Sequence, residues 1–372
     1  MRSTSTLLPF ALLAFSTACG GSDATGGAST STSAGDGGAG GGQTSGGAGG
    51  KMEGPGADTV VTPFTNTPLY FTGTDNQREV DATASFPATG TYEKITLHLA
   101  LTCPSGGCDP YDRIGSLGVV TAKDPAGDTV IELQRFITPF GVGASWDLDV
   151  TDLRPLLAGD ITLRAFIDTW VGPGSSGGAG WVLTASFEMK GGTPAKVPVA
   201  VVPVYTRRRV VYGDPTRSID SQAPATPVAL PAGASSYSLR SFVTGHGQGN
   251  ADNCGEFCQK DHTFTAGGKA HQQSVWRTDC ATSGAPDQQG TFAYSRSGWC
   301  PGADVKPWEI DVTADVSASS STVGYSVETY ENTCRPDSAT CTGCTLGTGC
   351  EYDDGAHTEP GFELSTVLIG YR

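Results

Sequence analysis

The chain has 372 residues, with 23 Lys and Arg against 38 Asp and Glu, and its formal net charge of −15 argues against a nucleic-acid partner. With 52 Gly, 23 Pro, 11 Cys and only 16% charged residues, the composition is that of an all-β, loop-rich exported protein, and it excludes helix bundles and coiled coils.

At the start, Arg2 precedes an apolar run from Leu7 to Phe15 that is too short to span a bilayer, and Ser16-Thr17-Ala18-Cys19 ends it in small residues before a cysteine. Residues 1–18 therefore read as an export signal and Cys19 as a lipid-bearing cysteine. Ser16 stands where such signals usually carry Leu, so ordinary signal cleavage near Ala18, giving a secreted protein, stays open. Residues 19–56 form a Gly/Ser-rich tether that cannot bury enough surface to fold; thirty such residues span roughly 30 Å. The expected location is the bacterial outer membrane or cell surface, with the lipid as the sole membrane contact and nothing demanding more than a monomer.

Beyond the tether, period-two alternation marks strands: Ile95, Leu97, Leu99 and Leu101 share one face, and Ile161, Leu163, Ala165 and Ile167 share another. One short helical turn is expected from Thr151 to Leu157, with Thr151 as its N-cap and Pro155 keeping it brief. Trp146-Asp147-Leu148-Asp149-Val150-Thr151 reappears as Trp308-Glu309-Ile310-Asp311-Val312-Thr313, which points to two related β-sandwiches. The expected domains are residues 57–196 and 197–372, divided where Gly191 to Pro198 interrupts the strand pattern.

Setting Cys19 aside leaves an even number of cysteines, as in a disulfide framework. Cys103 with Cys108 and Cys254 with Cys258 are close enough to close small loops, and Cys280 with Cys300 could staple a longer one. Cys334, Cys341, Cys344 and Cys350 form a cluster that reads as a stapled insertion, with a zinc site as the alternative.

No G-x-S-x-G, phosphate-binding loop or H-E-x-x-H is present, and the 5 His are scattered, so serine and metal chemistry are poorly supported. Carboxylates are better placed. Asp109 and Asp112 follow the first cysteine pair and Glu256 lies inside the second, where a covalent clamp can fix an acid or base. The plainer reading of Asp109 and Asp112 is a solvated acidic turn or a weak ion pair with Arg113. Asp168, on a strand expected to run from Ile161 to Trp170, shares a face with Arg164, Phe166 and Trp170, which suggests sugar binding; a solvent-facing strand end is the alternative.

At these residues the sequence resembles the peptide-N-glycosidase F family. Cys103-Pro104-Ser105-Gly106-Gly107-Cys108-Asp109-Pro110-Tyr111-Asp112-Arg113 is similar to its C-P-x-x-x-C-D-x-W-D-R segment, and Arg135-Phe136-Ile137-Thr138-Pro139-Phe140 to R-F-I-T-P-Y. Asp168-Thr169-Trp170 corresponds to E-T-W, Cys254-Gly255-Glu256-Phe257-Cys258 to C-A-E-W-C, and Arg296-Ser297-Gly298-Trp299-Cys300-Pro301-Gly302 to R-A-G-W-C-P-G. The resemblance covers about residues 57 to 372.

It implies two jelly-roll β-sandwich domains side by side, the site in the cleft between them, and metal-independent hydrolysis of the amide joining Asn to the first N-acetylglucosamine of an N-glycan. No cofactor is implied. By resemblance Asp112 is the principal catalytic carboxylate, Glu256 the second, Arg296 their partner, and Asp168 a third acid nearer the sugar. Arg113 and Phe257 are candidate substrate contacts, as is His246, for which a structural loop histidine is the alternative, with Tyr111, Trp170 and Trp299 offering ring faces to the core sugars. The family's disulfides would pair Cys103 with Cys108, Cys254 with Cys258, and Cys280 with Cys300. Departures are Asp168 for Glu, which shortens the reach, Tyr111 and Phe257 for Trp, and His246 in place of the Trp of a G-W-G-H segment. The fold is shared with copper-dependent peptide monooxygenases, but 3 Met and no His-x-His pair leave too few copper ligands. The alternative function is a non-catalytic module binding glycans or peptides on the same fold.

Overall fold

The computed structural model describes residues 54–247, 254–332, 351–352, 355–356 and 359–372. The export signal, Cys19, the tether through residue 53 and the cluster of Cys334, Cys341, Cys344 and Cys350 lie outside the described residues.

The chain builds two β-sandwiches from antiparallel sheets. In the first, a five-stranded sheet runs Asn76–Gln77, Thr59–Phe71, Trp181–Gly191, Tyr92–Thr102, Ala144–Asp149. It faces a four-stranded sheet in the order Glu79–Phe86, Gly159–Ile167, Ile114–Ala122, Thr129–Ile137. Alternation explains the packing, because successive side chains of a strand point to opposite faces. Ile95, Leu97, Leu99 and Leu101 meet Leu163, Ala165 and Ile167 in one core with Leu183, Phe187 and Met189. Each such aliphatic side chain contributes roughly 1.5–3 kcal/mol by leaving water.

The second sandwich pairs a sheet ordered Pro198–Val211, Gly361–Tyr371, Ser236–His246, Trp308–Asp311 with one ordered Thr226–Pro227, Thr322–Val327, Asp261–Ala266, Lys269–Ser274. The Gly361–Tyr371 strand is apolar on both faces. Phe362, Leu364 and Leu368 enter the second core, whereas Val367, Ile369 and Tyr371 enter the first. A strand buried on both sides loses the usual polar alternation, and here it welds the two sandwiches together.

The repeated hexapeptide makes the same device in each half. Val150 N–H donates to the Ile95 carbonyl at 3.0 Å, Ile95 N–H donates to Thr151 Oγ1 at 2.8 Å, and Asp149 Oδ1 accepts from Thr151 N–H at 2.9 Å. In the copy, Val312 N–H donates to the Tyr237 carbonyl at 3.0 Å, Tyr237 N–H donates to Thr313 Oγ1 at 2.9 Å, and Asp311 Oδ1 accepts from Thr313 N–H at 3.0 Å. Thus each Asp-Val-Thr ends one strand and anchors the start of its neighbour.

Two expectations need correction. Thr151 is not the N-cap: Val150 holds that place, and Thr151 lies inside a 3-10 helix, Thr151–Leu156, because its hydroxyl is engaged by Ile95 and Asp149. The strand expected to reach Trp170 ends at Ile167, where Asp168 N–H turns to the Ile114 carbonyl. Short helices at Ile219–Gln222 and Cys280–Ser283 were not anticipated. Among the described residues no helix is long and apolar enough to cross a membrane.

Candidate active site

The first wall is the loop that follows the Tyr92–Thr102 strand. A disulfide joins Cys103 to Cys108, and the Gly107 N–H closes a turn on the Pro104 carbonyl. Gly178, at φ +116°, lets a neighbouring loop press against it; a Cβ there would stand 2.3 Å from the Cys108 carbonyl oxygen. Asp109 is wholly buried. Its carboxylate accepts from Tyr111 N–H at 3.0 Å, Arg113 Nε at 2.8 Å and Thr169 Oγ1 at 2.7 Å. The solvated-turn reading of Asp109 is therefore overturned. Thr138 holds the same loop from the other side, accepting from Arg113 N–H at 2.7 Å and donating to the Tyr111 carbonyl at 3.0 Å. Asp112, between Tyr111 and Arg113, is fixed by its neighbours rather than by its own side chain.

The second wall belongs to the other sandwich. Cys254 pairs with Cys258 and Cys280 with Cys300. Glu256 is clamped by its backbone, its N–H donating to the Gly247 carbonyl and its carbonyl accepting from Ser297 N–H, both at 2.9 Å. Arg296, 1% exposed, donates through Nε to Glu256 Oε1 at 2.8 Å. Its terminal nitrogens donate to the carbonyls of Tyr294 and Thr291, both at 2.9 Å. Phe257 and Trp299 stack on the guanidinium, 5.0 and 4.9 Å from its carbon.

The two walls meet at Arg296, whose Nη2 is 3.9 Å from Asp112 Oδ2. Burial pushes the Asp112 carboxyl up to about 6, against the opposing pull of Arg296 and Arg113. Burial, reinforced by the charge of Asp112, pushes Glu256 up to about 7 although Arg296 resists it. Two carboxyls from different sandwiches thus hold protons near neutrality around one guanidinium, an arrangement suited to acid and base work in one step.

The remaining candidates divide. Tyr111 and Trp170 are 57% and 54% exposed, leaving ring surface for a ligand. Arg78 lies 4.6 Å from the ring centres of both Phe71 and Trp170 and donates to Asp168 Oδ1 at 3.1 Å, so a cation joins the acid to the indole. Trp299 does not offer a free face: it is 2% exposed, stacked on His246 at 5.4 Å, and donates through Nε1 to the Gly245 carbonyl at 2.7 Å. His246 shares a hydrogen bond of 2.8 Å with Thr244 Oγ1. Burial, with help from Arg209, Arg135 and Arg207, holds the imidazole neutral, well below its ordinary range. Among the described residues no group of three or more His, Cys, Asp or Glu is placed to hold a metal ion. A hollow of about 680 Å³ between the repeated segments is lined by Asp147, Asp149, Arg240 and Glu309 and includes none of Asp112, Glu256 or Arg296.

A second buried arginine escaped the sequence reading. Arg135, wholly buried, grips Glu132 with two bonds of 2.9 and 2.7 Å, and it also donates to Thr244 Oγ1 at 3.0 Å and to the Glu363 carbonyl at 2.6 Å. Its position in the Arg135-Phe136-Ile137-Thr138 segment was the only signal available.

Models of the N-terminal and C-terminal domains of peptide-N-glycosidase F match residues 118–176 and 215–342. The peptide-N(4)-(N-acetyl-beta-D-glucosaminyl)asparagine amidase F of Elizabethkingia miricola is 29% identical over 262 residues, 67% of this chain and 71% of that protein. Among solved structures, PNGase F from Flavobacterium meningosepticum, described as a glycosylasparaginase, superposes with a TM-score of 0.65 at 22% identity, over 85% of this chain and 96% of that one. A further crystal structure of a peptide-N(4)-(N-acetyl-beta-D-glucosaminyl)asparagine amidase gives a TM-score of 0.62 at 21% identity, over 84% and 96%. Both halves match in chain order, and the matched spans surround or adjoin the two walls just described: the chain belongs to the peptide-N-glycosidase F family.

Proposed function

We propose that the chain is a metal-independent, cofactor-free amidase that hydrolyses the bond between an Asn side chain and the first N-acetylglucosamine of N-linked glycoproteins or glycopeptides. The observation that carries this reading is the meeting of Asp112 and Glu256 at Arg296, with both carboxyls pushed up toward neutrality.

Asp112, the group that ionises first, takes a proton from water as the oxygen attacks the amide carbon. Glu256 gives a proton to the nitrogen as the carbon–nitrogen bond breaks, leaving Asp on the protein and a glycosylamine that later loses ammonia. Arg296 has its donors engaged by Glu256 and backbone carbonyls, so it acts through its charge and through the aim of Glu256. Arg113 has no acceptor for its terminal N–H groups among the described residues and serves the developing oxyanion. Tyr111 and Trp170 give ring faces to the sugars, Asp168 and Arg78 give polar contacts beside them, and Phe257 backs Arg296.

The two sandwiches act as domains of residues 57–196 and 197–372, exported as a monomer and held to the membrane only through a lipid on Cys19. Incubating the full chain with a denatured N-glycoprotein in heavy-oxygen water tests the reaction by mass spectrometry. Conversion of Asn to labelled Asp, lost in Asp112→Asn and Glu256→Gln, is the expected result; no conversion by folded wild type across high-mannose and complex glycans would leave a glycan-binding module instead.

A further inference from the structure

We propose that Asp109 is a positioning residue of this site, aiming Asp112 and Arg113 and tying the 168–170 segment to them; the inference rests on the amidase reading. Asp109 spends both carboxylate oxygens inside the protein. Oδ1 accepts from Tyr111 N–H, and Oδ2 accepts from Arg113 Nε and Thr169 Oγ1. Two of those partners bracket Asp112 in sequence, so one buried group fixes the backbone before it and the side chain after it. The third carries the segment that holds Asp168 and Trp170. A single carboxylate therefore ties the Asp112 loop to the segment that carries Asp168 and Trp170.

A fully buried charge is costly unless every lone pair is answered, and mere closure of the loop is already supplied by the Cys103–Cys108 disulfide and by Thr138. The carboxylate does more than close it. Engaging Arg113 through Nε orients the guanidinium and leaves its terminal N–H groups for substrate. Burial chiefly favours the protonated form of the Asp112 carboxyl, against Arg296 and Arg113, and the negative charge of Asp109 adds a smaller push in the same direction. Asp112 is thus faced by Asp109 and Arg113 from its own loop and by Arg296 and Glu256 from the other sandwich. Misplacing such a group by about 1 Å can cost on the order of 100-fold in rate.

The test compares Asp109→Asn and Thr169→Val in the full chain. Carbonyl NMR follows the titration of Asp112, and glycopeptide conversion is measured as a function of pH. Asp109→Asn is expected to move the Asp112 midpoint down and to lower kcat by about 10-fold or more with a smaller change in KM. Thr169→Val, which cuts the bond from the 168–170 segment to Asp109 and removes no charge, is expected to raise KM several-fold and leave the midpoint in place. A folded Asp109→Asn with an unmoved midpoint assigns Asp109 to loop closure alone and overturns the proposal, whatever the rate. If that variant does not fold, Thr169→Val decides: an unchanged KM overturns the proposal. Should wild type convert no glycopeptide, the amidase reading fails, while the NMR midpoint, which needs no turnover, still decides the role of Asp109.

Discussion

Arg135 and Arg296 are both buried, both beside a glutamate, and both placed where the two sandwiches meet, yet their carboxylates behave in opposite ways. Glu132 is gripped by two bonds from Arg135 and a third from Ser365, and the adjacent charge holds its carboxyl below the ordinary range despite burial. Glu256 receives one bond from Arg296 and has Asp112 nearby, and its carboxyl goes up. Burial pushes the carboxyl up in both places. The difference is how completely the charge is answered: a saturated carboxylate becomes a fixed joint, whereas an under-answered one next to a second acid becomes a proton donor.

Breaking the pairs should separate the two roles. Asp112→Asn should lower turnover by about 10²–10⁴-fold in the heavy-oxygen assay, whereas Glu132→Gln, measured on folded protein, should change it only a few-fold; equal losses would erase the distinction. Glu132→Gln should instead cost about 3–5 kcal/mol of stability in denaturant titrations, because it strands the Arg135 charge.

The pH dependence sharpens the contrast. The carboxyls of Asp112 and Glu256 rise from 3.8 and 4.5 to about 6 and about 7, so the stability they lend is present below their unfolded values and lost as pH climbs through that window. Glu132 is lowered, so its contribution is present above its unfolded value and lost as pH falls. Relative to wild type, Asp112→Asn should therefore gain roughly 1–3 kcal/mol between about pH 4 and about pH 6, while the deficit of Glu132→Gln should shrink on acidification. The smallest effect is expected of Ser365→Ala, about 1 kcal/mol, with turnover unchanged.

Much of this was legible from local pattern. The alternation from Ile95 to Leu101 marked a core strand, and the two Asp-Val-Thr copies marked equivalent corners, because both signals sit within a few residues of one another. What stayed hidden depends on distant partners. Asp109 looks like a surface acid until Thr169, 60 residues away, reaches it. Arg135 looks like part of an apolar motif until the Glu363 carbonyl, 228 residues on, accepts from it. Trp299 looked like a sugar platform because its burial is set by His246 and Gly245, whose strand nothing in its own neighbourhood announces.

The place of the Gly361–Tyr371 strand has a consequence for the order in which the protein is made. It lies between Pro198–Val211 and Ser236–His246, and it brings Ser365 and the Glu363 carbonyl to Glu132 and Arg135. During synthesis the ion pair emerges more than 200 residues ahead of the segment that seats it, so an early half-molecule must carry a charged, unsealed seam. Contacts of such long separation fold slowly, and the seam closes only when those 11 residues slot into the middle of a waiting sheet.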